Sequence, residues 1–195
     1  MRDEFYADRR DLCKWNIALR LAGLDGTILY VAMLRPRASR SAPRGVDGSI
    51  LGFFRREWVE LDREPLCSRI RNLSPKIKPV LDYYQQSDKS AYFQKVVTLI
   101  KQPRESGHYV VLLDPDTGLA GAKPTREHLC WDDVTSVWDA MKVEDILLIY
   151  QHNQRRKKQP WLAGLQHRIA ELAGKLPEQI SCYSCADVSF LSATK

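Results

Sequence analysis

Several things are scarce in this chain, and each scarcity excludes a class of protein. No run among its 195 residues approaches the roughly 18 to 20 apolar residues that a membrane-spanning helix needs, so no membrane association is expected. The opening Met-Arg-Asp-Glu-Phe-Tyr-Ala-Asp-Arg-Arg is charged where an export signal carries an apolar core. Cysteine is sparse: Cys13, Cys67, Cys130, Cys182 and Cys185 are an odd, scattered five, and the simplest expectation is a reduced, cytoplasmic protein. Cys182-x-x-Cys185 stands alone, with no second CxxC and no HxxxH to complete the four ligands of a structural zinc site. Glycine-rich nucleotide motifs are lacking as well. No GxGxxG follows the first strand-like run, and no GxxxxGK[ST] occurs, so the dinucleotide fingerprint and the P-loop are both missing.

Positive charge is in excess. Thirty Lys and Arg against 24 Asp and Glu give a net charge of +6. That excess suits a polyanionic partner, DNA, RNA or a nucleotide. Apolar residues at 44% and charged residues at 28% are ordinary for a globular chain, and the length suits one domain, 1–195, with a sizeable core.

Periodicity organises the chain. Residues 5–22 read as an amphipathic helix with Leu12, Trp15, Leu19 and Ala22 on its apolar face, ended by Gly23 and Gly26. Thr27–Leu34 (TILYVAML) reads as a strand buried on both faces. Residues 35–48 follow as a mobile basic loop carrying Arg35, Arg37, Arg40 and Arg44. Residues 50–62 fit strand and helix equally, and 65–86 hold helical spacing interrupted by Pro75 and Pro79. Ser90–Lys101 reads as a helix, Tyr109–Leu113 as a strand, 125–141 as a helix, Ile146–Tyr150 as a strand, a helix opens at Pro160, and Val188–Leu191 ends a last strand. This alternation predicts an α/β fold with a mostly parallel sheet flanked by helices.

Three places carry chemistry. Asp114-Pro115-Asp116-Thr117-Gly118 follows an aliphatic strand, at the carboxyl end where α/β sites lie. Asp114 and Asp116 suit a divalent cation such as Mg²⁺ or Mn²⁺, or Asp114 suits an amino group of a base. A capping turn is the plainer alternative. His152, just past the strand Ile146–Tyr150, suits a general base or a metal ligand, against a purely structural role. Arg155, Arg156, Lys157 and Lys158 add phosphate-binding charge beside it, or simply a solvated loop. On the first helix Asp8, Asp11 and Trp15 share one side, and Arg10 and Lys14 pair one turn apart, as in a surface charge network.

Tyr6–Leu19 (YADRRDLCKWNIAL), centred on Asp11-Leu12-Cys13-Lys14-Trp15, resembles the N-terminal helix of the ribosomal-RNA adenine-N6 methyltransferases that open with a D-x-x-K-H segment. It is also similar to the start of the three-Cys-motif partner proteins. In the methyltransferases an aliphatic strand ends in D-P-P-Y, and here Val110–Thr117 (VVLLDPDT) holds that place. The similarity spans about half of the chain. It implies a Rossmann-like, class I methyltransferase-like fold with S-adenosylmethionine as cofactor. Asp11 and Lys14 would lie near cofactor or target, and Asp114 with Pro115 would position the target amino group. Asp116 stands where the family has its second proline, and Thr117 where a tyrosine stacks on the flipped base. Arg35-Pro36-Arg37 follows the first strand in place of a glycine-rich turn.

Three functions are therefore expected in competition. The first is an S-adenosylmethionine-dependent methyltransferase acting on nucleic acid or nucleotides through Asp114, Lys14 and His152. The second is a nuclease or phosphodiesterase with its metal between Asp114 and Asp116. The third is a non-catalytic nucleic-acid-binding or protein-partner module on a degenerate methyltransferase fold.

Overall fold

The structure is a computed structural model, and it describes residues 9–33, 72–80, 84, 88–104, 107–115, 117–121, 128–153, 158–185 and 187–195, apart from the side chains of Arg9, Asp11, Lys158 and Gln159. The basic loop expected at 35–48, the ambiguous 50–62, Asp8, Asp116, and the basic residues Arg155, Arg156 and Lys157 lie outside the described residues.

The elements alternate. Helix α1 (Arg9–Ala22) leads to β1 (Thr27–Ala32) and β2 (Ile77–Pro79), then α2 (Lys89–Lys101), β3 (Tyr109–Asp114), α3 (Trp131–Ala140), β4 (Ile146–His152), α4 (Lys158–Ala173), β5 (Ser181–Cys185) and β6 (Val188–Thr194). Among the described residues the strands form one six-stranded sheet in the order β2-β1-β3-β4-β6-β5. β2, β1, β3 and β4 are parallel, while β6 runs antiparallel to both β4 and β5. The fold is thus α/β with a mixed, mostly parallel sheet.

Alternation along the strands sorts the core into two layers. Leu29, Val31, Val111, Leu113, Leu147 and Ile149 face one side, packed with Phe93 and Val96 of α2, Val134 and Val137 of α3 and Ile169 of α4. Ile28, Tyr30, Ala32, Val110, Leu112, Leu148 and Tyr150 face the other side, packed with Trp15, Ala18 and Ala22 of α1. Every residue of β3 is buried. That explains its unbroken apolar run, because helices cover both faces. Among the described residues no helix is long and apolar enough to cross a membrane.

Four expectations need correction. The helical spacing over 65–86 gives way at Ile77–Pro79 to strand β2, paired with β1 through Ile28↔Ile77 and Tyr30↔Pro79. Pro75 and Pro79 deny a helix its ladder, whereas a proline is tolerated on the edge strand that β2 forms. Leu12 is not core: it is 68% exposed, and Lys14 takes the buried place instead. Ser181–Cys185 forms an edge strand that the sequence did not announce, because it carries little apolar alternation. Finally, the five cysteines are not all thiols, since Cys13 and Cys185 form a disulfide.

Candidate functional site at the carboxyl edge of the sheet

Chain order reverses between β1 and β3. From β1 the sheet runs outward to β2 on one side and to β3 on the other. In open α/β sheets such a reversal opens a crevice at the carboxyl ends of the strands, and ligands bind there. Ala32 of β1 and Asp114 of β3 are register partners at that place. Asp114 falls on the same strand parity as Val110 and Leu112, so alternation turns it toward α1.

There it meets Lys14. The ammonium donates to Asp114 Oδ2 at 2.7 Å and to the Tyr30 hydroxyl at 3.2 Å. Tyr30 Oη donates in turn to the same Oδ2 at 2.7 Å. Aromatic rings enclose the cation: Nζ lies 5.2 Å from the Trp15 ring centroid, 5.0 Å from that of Tyr30 and 6.0 Å from that of Tyr150. Cation–π attraction is strongest where water is excluded, and here it is. Lys14 is 0% and Asp114 is 1% exposed. Burial pushes the Asp114 carboxyl up. The Lys14 ammonium and the hydrogen bonds from Lys14 and Tyr30 outweigh it and hold the group below the ordinary carboxylate range.

The turn after β3 is fixed to β4 by Gln151. Its Oε1 accepts from Leu119 N at 2.7 Å, and its Nε2 donates to His152 O at 3.0 Å. Gly118 is required here twice over. Its φ is 88°, and a Cβ at this position would lie 2.2 Å from Gln151 Nε2. His152 ends β4 with its ring edge-on to Tyr150, centroids 4.9 Å apart. Beside it, Asn153 Oδ1 accepts from Ser189 Oγ at 2.8 Å.

Of the residues singled out from sequence, Lys14 and Asp114 are brought into direct contact. His152 stands near them through Tyr150. Asp116 and the arginines of 35–44 and 155–156 lie outside the described residues, as do Lys157 and the side chains of Asp11 and Lys158. Sequence reasoning missed Tyr30, whose signal was a hydroxyl inside an apolar strand, where burial demands a partner. Gln151 belongs to the polar group Tyr150-Gln151-His152-Asn153 that ends the strand, but its tie to the turn after β3 was not foreseen. Among the described residues no three of His, Cys, Asp and Glu cluster as metal ligands. The CxxC illustrates why: Cys182 packs against the layer of α2, α3 and α4, and Cys185 against the α1 layer, on opposite faces of β5.

A separate cleft of about 950 Å³ lies between α2 and α3, lined by Lys89, Phe93, Val97, Cys130 and Asp133. It belongs to the opposite sheet face, and its Lys89 is ion-paired with Asp133. Comparison with protein-family models, with curated proteins and with solved structures finds no match to this chain.

Proposed function

We propose that this chain is a non-catalytic nucleic-acid-binding protein on a methyltransferase-like, Rossmann-related α/β fold, in which Asp114 holds α1 to the sheet instead of doing chemistry. The sealing of Asp114 carries this reading. A carboxylate that orients the amino group of a base must offer that group an oxygen. Asp114 is 1% exposed and bound by Lys14 and Tyr30.

Charge supports the binding half. β1, β3 and β4 are parallel, so their carboxyl ends share one edge of the sheet. Arg35, Arg37, Arg40 and Arg44 follow β1 in the chain, and Arg155, Arg156, Lys157 and Lys158 follow β4. Such charge supplies sequence-independent affinity for phosphates.

S-adenosylmethionine is the cofactor the resemblance implies, and the residues present do not fit it. The carboxylate at the switch point is already engaged, and Arg35-Pro36-Arg37 replaces the expected glycine-rich turn. The reversal of strand order at β1 and β3 nevertheless favours a second reading, an S-adenosylmethionine-dependent methyltransferase. The nuclease reading, with Mg²⁺ or Mn²⁺ between Asp114 and Asp116, has less support, because an ammonium 2.7 Å from Oδ2 repels a cation there.

Titration with duplex DNA and with a structured RNA at two salt concentrations tests the proposal. Affinity is expected to fall steeply with salt. The double variant Arg155→Ala with Arg156→Ala is expected to lower the salt slope by about two. Saturating S-adenosylmethionine is expected to leave the melting temperature unchanged. A rise in melting temperature supports the second reading, and the absence of salt-dependent binding overturns the first.

A further inference from the structure

We propose that the Cys13–Cys185 disulfide is a redox-operated clasp: closed, it fixes α1 against the β5–β6 hairpin and steadies Lys14 upon Asp114, and opened by a dithiol, it loosens α1. This inference is independent of the functional reading above.

The bond joins positions 172 apart in sequence, with Cα atoms 6.4 Å apart, inside the usual disulfide span. Cys13 immediately precedes Lys14 on α1. A helix advances only about 1.5 Å per residue, so fixing one of them fixes the other. One turn earlier, Arg10 grips the same hairpin. Its Nε donates to Asp187 Oδ1 at 2.9 Å, and its Nη2 pairs with Oδ2. Cys185 and Asp187 flank the turn between β5 and β6, so α1 is held there by a covalent bond and an exposed ion pair.

The position suits a bond that opens. β5 is an edge strand of the sheet, and Cys13 and Cys185 are both only partly buried, at the rim of the core rather than inside it. The thiolate of a dithiol attacks one sulfur to form a mixed disulfide, and its second thiol then displaces the protein sulfur. Two electrons and two protons pass to the cysteines, which leave as thiols, while the reductant leaves as a cyclic disulfide. Cys182 does not compete for Cys13, because it lies on the other face of β5 among the residues packed by α4. Once the bond is open, α1 keeps its apolar face, the Arg10–Asp187 pair and the Lys14–Asp114 contact, but loses its covalent tie to the β5–β6 hairpin. An exposed ion pair contributes little.

Two measurements on the unaltered chain test the clasp. In denaturant, the oxidised protein is expected to show three reactive thiols of its five, and the dithiol-treated protein all five. On reduction, amide hydrogen exchange over Arg9–Ala22 is expected to quicken at least about tenfold, while β3 and β4 keep their protection. The Cys185→Ser variant is expected to exchange like the reduced chain and to ignore dithiol. Five reactive thiols after oxidation overturn the proposal. So does α1 exchange that reduction leaves unchanged, or protection lost equally from β3 and β4, which would make the bond a global staple. The comparison of oxidised and reduced wild-type chains decides the matter even if the variant fails to fold.

Discussion

Lys14 Nζ and Asp114 Oδ2, 100 residues apart in sequence, meet at 2.7 Å inside a ring cage at the carboxyl edge of the sheet. Removing one partner strands the other charge in a dry site. Lys14→Met is expected to cost about 3–5 kcal/mol. The double variant Lys14→Met with Asp114→Leu is expected to cost less than Lys14→Met alone. Urea unfolding of the single and double variants measures the coupling, and strict additivity would show that the pair does not interact.

The same pair sets an acid limit. Asp114 and Asp145 both titrate below their ordinary value of 3.8. At Asp145, burial pushes the carboxyl up, and Arg104 with the amides of Tyr109 and Lys142 outweighs it. Because the folded values are depressed, the unfolded chain takes up protons first as pH falls. Stability is therefore fully present well above 3.8 and is lost as pH drops below it toward the folded values. Denaturant midpoints are expected to be level from neutral pH to about 5 and to fall steeply below about 4. The Lys14→Met/Asp114→Leu variant should show a shallower fall.

Gly118→Ala is expected to destabilise by about 1–3 kcal/mol, because the backbone there has a φ of 88° and the new methyl meets Gln151. Adding Gln151→Ala removes the clash but not the backbone cost. The double variant should therefore be more stable than the sum of the two singles indicates. Thermal or urea unfolding of the three proteins measures this.

Two ion pairs should differ in weight. Arg10–Asp187 has side chains 34% and 56% exposed, and Arg10→Ala is expected to cost less than about 1 kcal/mol in the oxidised protein. Asp145 is buried. It accepts from Tyr109 N at 2.7 Å and from Lys142 N at 2.8 Å, and it pairs with Arg104. Asp145→Ala leaves those donors without an acceptor and is expected to cost about 3–5 kcal/mol. Equal losses in the two variants would contradict the burial argument.

Much of the architecture is local and was legible in the residues. Unbroken aliphatic runs at Thr27–Ala32, Tyr109–Leu113 and Ile146–Tyr150 mark strands covered on both faces, and the helical spacing over Lys89–Lys101 marks α2. The carboxyl-edge position of Asp114 follows from the same runs. What sequence spacing misjudged depends on distant partners. Periodicity assigned Leu12 inward and Lys14 to a surface network. Yet α1 is rotated so that Lys14 is buried, because Asp114 and Tyr30 await its charge on the facing sheet.

By itself, then, the sequence determined the alternation of helices and buried strands, the excess of positive charge, and the strand end that carries Asp114. The tertiary structure decided which face Asp114 occupies, that a lysine and a tyrosine close over it, and that Cys13 lies beside Cys185. The reason is physical. Hydrophobic periodicity reports how each segment divides apolar from polar surface. A buried charge pair or a disulfide depends on two segments meeting, and nothing in either segment alone records the other.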